Sequence, residues 1–324
     1  MVPLDLEHQV ELLRRMKRIR QVEEQIAARY HEGKMRCPTH LSVGQEAVAA
    51  AVGLALRSDD FAVSGHRAHA HYLAKGGSME AMLAEIYGKQ TGCCHGRGGS
   101  MHLVDLNVGF AGSSAIVASS IPVGVGLALS VQLLGTDQLS CIFLGDAAVE
   151  EGAFYESANF AAVKKLPVLF VCENNLYSVY SPLHVRQPPG RKIHEMVRAI
   201  GIAAGDGDGN DVEAVYRQTV DAVSSIRGGQ GPKFLEFYTY RWREHCGPNY
   251  DNDIGYRSEA EFLRWKASDP IARYEKHLTQ ASRLTVAGIE AMQRDIEAEV
   301  NAAFEFADAS PFPAKEEAFA HLYR

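Results

Sequence analysis

The sequence predicts an α/β fold: a doubly wound, mostly parallel sheet with helices on both faces. Three apolar runs, 138–145, 167–174 and 232–241, alternate with helical stretches. Near-continuous apolar strands are typical of parallel sheets that helices cover on both sides. With 324 residues and 46% hydrophobic content, the chain is long enough to bury a large core. We expect a single domain over 1–324, with helical extensions at 1–40 and 258–324.

The helices follow from the spacing of apolar and charged residues. The segment 7–32 is predicted to be helical because its apolar residues recur at three- and four-residue intervals. A short strand is predicted at 59–65. Further helices are predicted, in chain order, at 42–56, 150–165, 209–227 and from about 258 onward.

A long uncharged stretch from Asn107 to Thr136 raises the question of a membrane span. Residues 116–135 are numerous enough to cross a bilayer. However, Pro122 and several Gly and Ser residues interrupt the stretch, and small residues let neighbouring backbones approach closely. We therefore predict a loop followed by a helix buried in a large core.

Charge and cysteine content exclude several classes of protein. The net charge of -7 and the pI near 6.0 argue against non-specific nucleic-acid binding, which needs a basic face. The N-terminal residues resemble neither a signal nor a transit peptide, so a cytoplasmic location is expected. Cys93 and Cys94 are adjacent and lack the spacing of a zinc knuckle. All six cysteines are expected to be reduced and mostly buried.

Two predicted strands end on short oxygen-bearing side chains. Asp146 follows the strand 138–145, and Asn175 follows the strand 167–174. Neighbouring parallel strands lie about 4.8 Å apart, and ligands bind at their carboxyl ends. A carboxylate and an amide oxygen suit Mg²⁺ or Ca²⁺ better than zinc, and Mg²⁺ often completes its shell with phosphate oxygens. Gly-Asp and Asn-Asn are also common turn sequences, which is the alternative interpretation.

Two other motifs are excluded by their spacing. The segment from Asp206 has the spaced oxygens of a calcium loop, but Asp211 and Arg217 stand where that loop needs Gly and Glu. Asn210 or Asp211 is instead predicted to cap the following helix. The glycines near 109–112 fall short of a dinucleotide-binding fingerprint.

The stretch "GDAAVEEG", followed downstream by "CENN", resembles the thiamine diphosphate motif, in which Gly-Asp-Gly is followed by Asn-Asn. Most of the chain resembles the alpha subunit of the decarboxylating first component of 2-oxoacid dehydrogenase complexes, of the pyruvate, branched-chain and acetoin types. The resemblance implies the thiamine diphosphate-binding fold, and thiamine diphosphate and Mg²⁺ as cofactors. The matching segments include "RIRQVEEQ" (18–25), "HLSVGQEA" (40–47), "GKQTGCCHGRGGSMHLVD" (88–105), "PVGVGLAL" (122–129), "DGNDVEAV" (208–215), "GYRSEAEF" (255–262), "SDPI" (268–271) and "ADASPFP" (307–313).

The resemblance assigns roles to single residues. The side chains of Asp146 and Asn175 and the backbone carbonyl of Tyr177 would bind Mg²⁺. Arg67 would grip the diphosphate, a task for which the guanidinium fork is suited. His245 would lie beside the diphosphate and the reacting centre. A surface charge and a solvated loop histidine are the alternatives for Arg67 and His245.

Further residues are implied to lie near the cofactor or the substrate. His69 is implied near the substrate, and His40 is an additional candidate. Gly98, Gly99 and Ser100 would shape a tight loop. The remaining implied cofactor contacts are His66, Ala115, Val117, Gly145, Ala147 and Ala148.

The sequence departs from the family pattern at several places. Ala147 stands where the motif has its third glycine, and His66 stands where the family has tyrosine. The triplet 113–115 is Ser-Ser-Ala where the family has Gly-Asn-Gly. The loop 243–254, "REHCGPNYDNDI", is acidic and longer than its counterpart. Cys246 replaces the serine that is phosphorylated in the regulated dehydrogenases, so no such control is expected.

The glutamate that activates thiamine diphosphate in this family belongs to a separate beta subunit. The resemblance therefore implies an alpha2beta2 heterotetramer that is inactive without its beta subunit and that passes its product to a lipoyl acyltransferase. A carboligase or transketolase-like enzyme that uses an aldehyde or a sugar is one alternative. A catalytically silent, cofactor-binding regulatory subunit is another. A nucleotide-binding oxidoreductase is disfavoured by the missing glycine fingerprint.

Overall fold

The computed structural model describes residues 4–320, in which six strands form one parallel sheet. The described residues contain eight strands in all: β1 Phe61–Ser64, β2 Phe110–Ser113, β3 Ser140–Gly145, β4 Val168–Asn174, β5 Tyr177–Ser178, β6 Ser181–Pro182, β7 Ala203–Asp208 and β8 Lys233–Tyr238. The order in the sheet is β2-β1-β3-β4-β8-β7, and every neighbouring pair is parallel. β5 and β6 form a separate antiparallel ribbon.

Helices cover both faces of this sheet, which confirms the predicted fold class. Their bounds are α1 Leu6–Arg29, α2 Glu46–Ala55, α3 His69–Ala74, α4 Met79–Ile86, α5 Ser120–Leu134, α6 Gly152–Lys164, α7 Leu183–Arg186, α8 Ile193–Ile200, α9 Val212–Arg227, α10 Glu259–Ala267, α11 Pro270–Gln280 and α12 Val286–Ala309. The predicted cap of α9 is Asp211, which accepts a hydrogen bond from the backbone N–H of Ala214. The N-terminal and C-terminal helices α1 and α12 pack against each other.

The central strand β4 shows how the sheet divides the core. All seven of its residues are buried. Because side chains alternate along a strand, Leu169 and Val171 enter the core formed with α1 and α2, whereas Phe170 enters the core formed with α5 and α6. Continuous apolar sequence is therefore required here, since neither face of the strand meets water.

The outer face of α5 departs from the prediction of a helix buried all round. Its inner residues Ile121 and Ala128 are fully buried, but Val123 is 55% and Leu133 is 77% exposed. The helix is therefore apolar on both sides, and its outer side forms an exposed apolar surface. Among residues 4–320, no helix combines the length and apolarity needed to cross a bilayer.

Candidate active site

A cleft with a cavity of about 160 Å³ lies at the carboxyl ends of β1, β3 and β4. This is the edge at which open parallel sheets bind ligands. Ten of the residues that the resemblance assigned to the cofactor line it: His66, Arg67, Val117, Gly145, Asp146, Ala147, Ala148, Asn175, Tyr177 and His245. The structure therefore brings together residues that are far apart in sequence.

Asp146 lies at the end of β3, where the chain turns into a short 3₁₀ segment. Only 2% of its surface is exposed, and Arg186 donates a hydrogen bond to its carboxylate. Arg186 also binds Glu150, with a nitrogen-to-oxygen distance of 2.5 Å. Burial raises the pKa of the Asp146 carboxyl, and the charge of Arg186 opposes this rise. The position thus combines an anionic oxygen with a neighbouring cation.

The segment after β4 forms a tight turn. The side-chain oxygen of Asn175 accepts a hydrogen bond from the backbone N–H of Tyr177, at 3.2 Å. Between them Leu176 has a φ of 71°, a left-handed conformation that is uncommon outside glycine. Strained backbone of this kind tends to occur at binding sites. The turn brings the Asn175 amide and the backbone of Tyr177 to the same cleft as Asp146.

Arg67, which follows β1, is a half-buried cation without a carboxylate partner in the described part of the chain. Its guanidinium donates hydrogen bonds to the carbonyl oxygens of Leu41, at 2.5 Å, and of His245, at 3.1 Å. Burial lowers its pKa to about 10. A guanidinium that lines a cleft and lacks an anionic partner is suited to bind an anionic ligand such as a phosphate.

Three histidines meet beside Arg67. The ring centroids of His40 and His66 are 4.5 Å apart, those of His40 and His245 are 5.0 Å apart, and those of His66 and His245 are 5.3 Å apart. Burial, followed by the charge of Arg67, lowers the pKa of His40 to about 2, of His66 to about 4 and of His245 to about 3. All three imidazoles are therefore neutral near pH 7.

Three residues implied by the resemblance do not line the cleft: His40, His69 and Ala115. His69 is fully buried, and its ring nitrogens contact the Glu23 carboxylate at 3.2 Å and the Ser100 hydroxyl at 2.7 Å. The role of His69 near the substrate therefore stays a prediction that this placement does not support. Ala115 is also absent from the lining of the cleft, which begins at Val117 in this segment.

The glycine-rich loop 92–99 folds around a buried carboxylate. Glu85 accepts hydrogen bonds from four backbone N–H groups, those of Cys94, Gly96, Gly98 and Gly99. Glu85, Cys93 and Cys94 lie close enough to hold a metal ion, but the four bonds already satisfy the carboxylate. The group is therefore a structural anchor, and the predicted loop-shaping role of the glycines has a physical basis here.

Sequence reasoning missed a third histidine of the cleft, His71. Its Nδ1 lies 2.8 Å from the Ser64 hydroxyl and its Nε2 lies 3.2 Å from the Glu173 carboxylate, while its ring stacks on Phe143. Its partner Glu173 lies within the run 167–174, which the sequence predicts to be an apolar strand. A charged residue inside an otherwise apolar buried strand is the signal that could have revealed it.

The altered loop near the entrance has its own buried ion cluster. Asp251 is 3% exposed and accepts hydrogen bonds from Arg257, from Tyr256 and, at 3.4 Å, from Arg241. The Asp251 carboxylate therefore joins the two ends of the loop, although the sequence of the loop is acidic. Cys246, which stands at the serine position, is exposed, whereas Cys141 and Cys172 are buried; all six cysteines are free.

Comparison with known proteins decides the family. A family model described as "Dehydrogenase E1 component" matches residues 14–316. The chain belongs to the dehydrogenase E1 component family. Among similar E1 proteins is the pyruvate dehydrogenase E1 component subunit alpha of Rickettsia typhi, 33% identical over 98% of this chain and 96% of that protein. The subunit alpha-3 of Arabidopsis thaliana chloroplasts is 36% identical over 94% and 72% of the two chains, and the Zymomonas mobilis protein is 35% identical over 98% and 89%.

These E1 relatives confirm the predicted resemblance to alpha subunits of 2-oxoacid dehydrogenases. They also support the class of activity, a thiamine diphosphate-dependent 2-oxoacid dehydrogenase component that works with a beta subunit. The carboligase and the silent regulatory subunit are not favoured by any of these relatives. The roles of single residues in the cleft remain predictions.

Proposed function

We propose that this chain is the cofactor-anchoring subunit of an alpha2beta2 enzyme that decarboxylates a 2-oxoacid and passes the product to a lipoyl group. The observation that supports this most is that the half-buried cation Arg67 and the oxygen donors Asp146 and Asn175 line one cleft. The similar E1 proteins are named as pyruvate dehydrogenases, so pyruvate is the first substrate to test.

The donors at the ends of β3 and β4 fit Mg²⁺. Asp146 would contribute a carboxylate oxygen, Asn175 an amide oxygen and Tyr177 its backbone carbonyl. These are hard oxygen ligands, and they leave room for the phosphate oxygens and water with which Mg²⁺ completes its shell. Because Arg186 binds Asp146 in this structure, the ion would share that carboxylate with Arg186 or replace it.

Other residues of the same cleft fit a diphosphate. Arg67 offers a half-buried charge, and Gly65 and Gly145 both line the cleft. A Cβ added to either glycine would meet open space within 4 Å. The backbone is therefore bare on the cleft side, which lets phosphate oxygens approach closely. Ala147, which replaces the third glycine of the motif, adds only a methyl group.

When bound, thiamine diphosphate supplies a nucleophilic carbon and an electron sink for loss of carbon dioxide. The chain itself contributes anchoring and proton transfer. His245 lines the cleft and is neutral near pH 7, so it can accept a proton from a reacting group or return one. His40 and His66 lie against it and are also neutral.

An exposed apolar face supports the proposal of a beta subunit. We call the outer surface of α5 and α6 with the preceding loop the α5–α6 face; it exposes Ile116, Val117, Val123, Leu133, Leu134, Tyr155, Phe160 and Val163. Contiguous apolar surface of this kind marks protein interfaces. Val117 belongs both to this face and to the lining of the cleft. A partner on the face would therefore reach the cofactor.

The function is tested by producing the chain alone and together with its beta subunit. Decarboxylation of a panel of 2-oxoacids is measured with thiamine diphosphate and Mg²⁺, and products are identified. We expect turnover only from the assembled pair, with transfer to a lipoyl acceptor. Full turnover by the isolated chain, or ligation to an aldehyde without lipoyl transfer, would contradict the proposal.

The interface is tested separately by Val123→Asp. A carboxylate in the α5–α6 face should prevent assembly with the beta subunit, because a buried unpaired charge is strongly unfavourable. Val286→Asp is the matched control, since Val286 is 65% exposed on α12. Size-exclusion chromatography with light scattering should show assembly with the control and not with Val123→Asp. Equal assembly of both variants would exclude this face.

A further inference from the structure

The cluster of His40, His66 and His245 is a set of nitrogen ligands that the proposed chemistry does not require as a group. We propose that these three histidines form a site for a transition-metal ion such as Zn²⁺, separate from the oxygen donors of the Mg²⁺ site. Three imidazoles with an open fourth position are a common zinc ligand set. Asp146, Asn175 and Tyr177 offer only hard oxygens, so the two sites differ in the ions they prefer.

The geometry of the cluster is close to that of a bound site. One ring nitrogen from each histidine lies within 4.8 Å of the others. Zinc–nitrogen bonds of about 2.0–2.1 Å in tetrahedral geometry place ligand nitrogens about 3.3 Å apart. The ring nitrogens must therefore approach one another by at most about 1.5 Å. All three histidines lie outside regular helices and strands, so side-chain rotation and small loop shifts can supply this movement.

The ligand atoms are available for binding. His40 is 6% exposed, and its Nδ1 is buried without a hydrogen-bond partner in the described part of the chain. Buried polar nitrogens are almost always paired, so an unpaired one indicates a missing partner. Within residues 4–320, the ring nitrogens of His66 and His245 also form no hydrogen bond, and both rings line the cleft. The open position of the site therefore faces the cleft.

The charges around the three histidines determine the net charge of the metal complex that the site can bind. Burial and Arg67 keep all three imidazoles neutral near pH 7, and the neutral form is the one that binds metals. Arg67 and Arg241 add positive charge near His245, which disfavours a bare dication. The same charges favour an anionic fourth ligand, such as hydroxide. The site therefore suits a metal ion that carries an anionic oxygen.

His66 makes the site particular to this chain. The family that the sequence resembles has tyrosine at this position, and a phenol does not supply a neutral nitrogen ligand. An ion held by the cluster would occupy a ring nitrogen of His245, so that this imidazole could no longer exchange a proton. Occupation of the site should therefore inhibit 2-oxoacid turnover.

The test uses Co²⁺ as a spectroscopic substitute for zinc, with the full-length chain assembled with its beta subunit. Thiamine diphosphate is omitted, and Mg²⁺ is kept in excess to fill the oxygen site. We expect a strong visible absorption band, typical of tetrahedral nitrogen ligation, that saturates at a single ion per alpha chain and disappears when Zn²⁺ is added. His66→Tyr and His66→Gln should abolish the band. His31→Gln, at an exposed histidine, should retain it.

Two results would overturn the proposal: no tetrahedral band in the unchanged protein, or a band of equal strength in both His66 variants. Circular dichroism and assembly with the beta subunit verify that each variant is folded. Two replacements of His66 are used so that the test still stands if one variant fails to fold. As a second measurement, Zn²⁺ should inhibit turnover of the unchanged enzyme, and a chelator should restore it. A bound ion without inhibition would refute the role assigned to His245.

Discussion

The two charged regions near the cleft entrance differ in how their buried groups are paired. In the loop 241–257, Asp251 is bound by Arg257, Arg241 and Tyr256, so its charge is balanced within the loop. In the cofactor region, Arg67 binds only carbonyl oxygens, and Asp146 is held by Arg186 at the end of α7. In the first arrangement the carboxylate has cationic partners within the loop, whereas in the second the charged groups can exchange their partners for a ligand.

This difference separates structural from binding charges. A buried charge whose partners are fixed in the same loop stabilises that loop, and its removal leaves other charges unpaired. A charge that faces a cleft and lacks an ionic partner lowers the stability of the folded protein. Binding of a ligand of opposite charge restores that stability. Substitutions in the two regions should therefore affect different properties of the enzyme.

The largest effect is expected for Asp146→Ala. Loss of a metal ligand should weaken Mg²⁺-dependent binding of thiamine diphosphate by more than about 100-fold, since even outer-shell changes cost 10–100-fold. The thermal midpoint should change little. Titration calorimetry of the assembled enzyme measures the binding. The control is Glu151→Ala, at an exposed neighbouring carboxylate, which should bind thiamine diphosphate normally. An unchanged affinity in Asp146→Ala would exclude Asp146 as a metal ligand.

The next effect concerns stability and is expected for Asp251→Asn. Removal of the carboxylate leaves Arg241 and Arg257 buried without a counter-charge, which should cost about 3 kcal/mol of unfolding free energy. The thermal midpoint should fall by about 4 °C, while the affinity for Mg²⁺ stays the same. Asp253→Asn is the control because Asp253 is exposed. Differential scanning fluorimetry distinguishes the two, and equal midpoints would contradict the structural role of Asp251.

The smallest effect is expected for Arg186→Gln. Mg²⁺ must compete with Arg186 for the Asp146 carboxylate, so removal of the guanidinium should tighten Mg²⁺ binding several-fold, because the ion no longer has to displace a charged donor from this buried carboxylate. The measurement is calorimetric titration of Mg²⁺ without thiamine diphosphate. Arg191→Gln, five residues after Arg186 and exposed, should leave the affinity unchanged. Weaker binding in Arg186→Gln would mean that this residue positions Asp146 instead.

Local sequence predicted the features that depend on local chemistry. The apolar runs gave β3, β4 and β8, because strands buried on both faces must be apolar. The positions of Asp146 and Asn175 at one edge followed from the βαβ connection between β3 and β4. The roles of Arg67 and His245 came from the resemblance, and both residues line the cleft.

Features that depend on distant contacts could not be predicted. Strand β7 has the sequence Ala-Ala-Gly-Asp-Gly-Asp, which has low strand propensity; pairing with β8 overrides that propensity. Arg186 lies forty positions after Asp146, and no local pattern connects them. Asp251 resembled a solvent-facing acid because its neighbours are polar. Only the folded chain shows that it is buried.

The low strand propensity of β7 has a consequence for how copies of the protein avoid sticking together. β7 forms one rim of the sheet, and a rim strand offers free backbone groups to any other extended chain. Asp206 and Asp208 would place carboxylates between two such rims, and Arg273 from α11 covers Asp208 at 2.6 Å. These charges therefore oppose the addition of further strands to β7, and with it the growth of the sheet into a fibre. The helical surfaces of the protein are not needed for this protection.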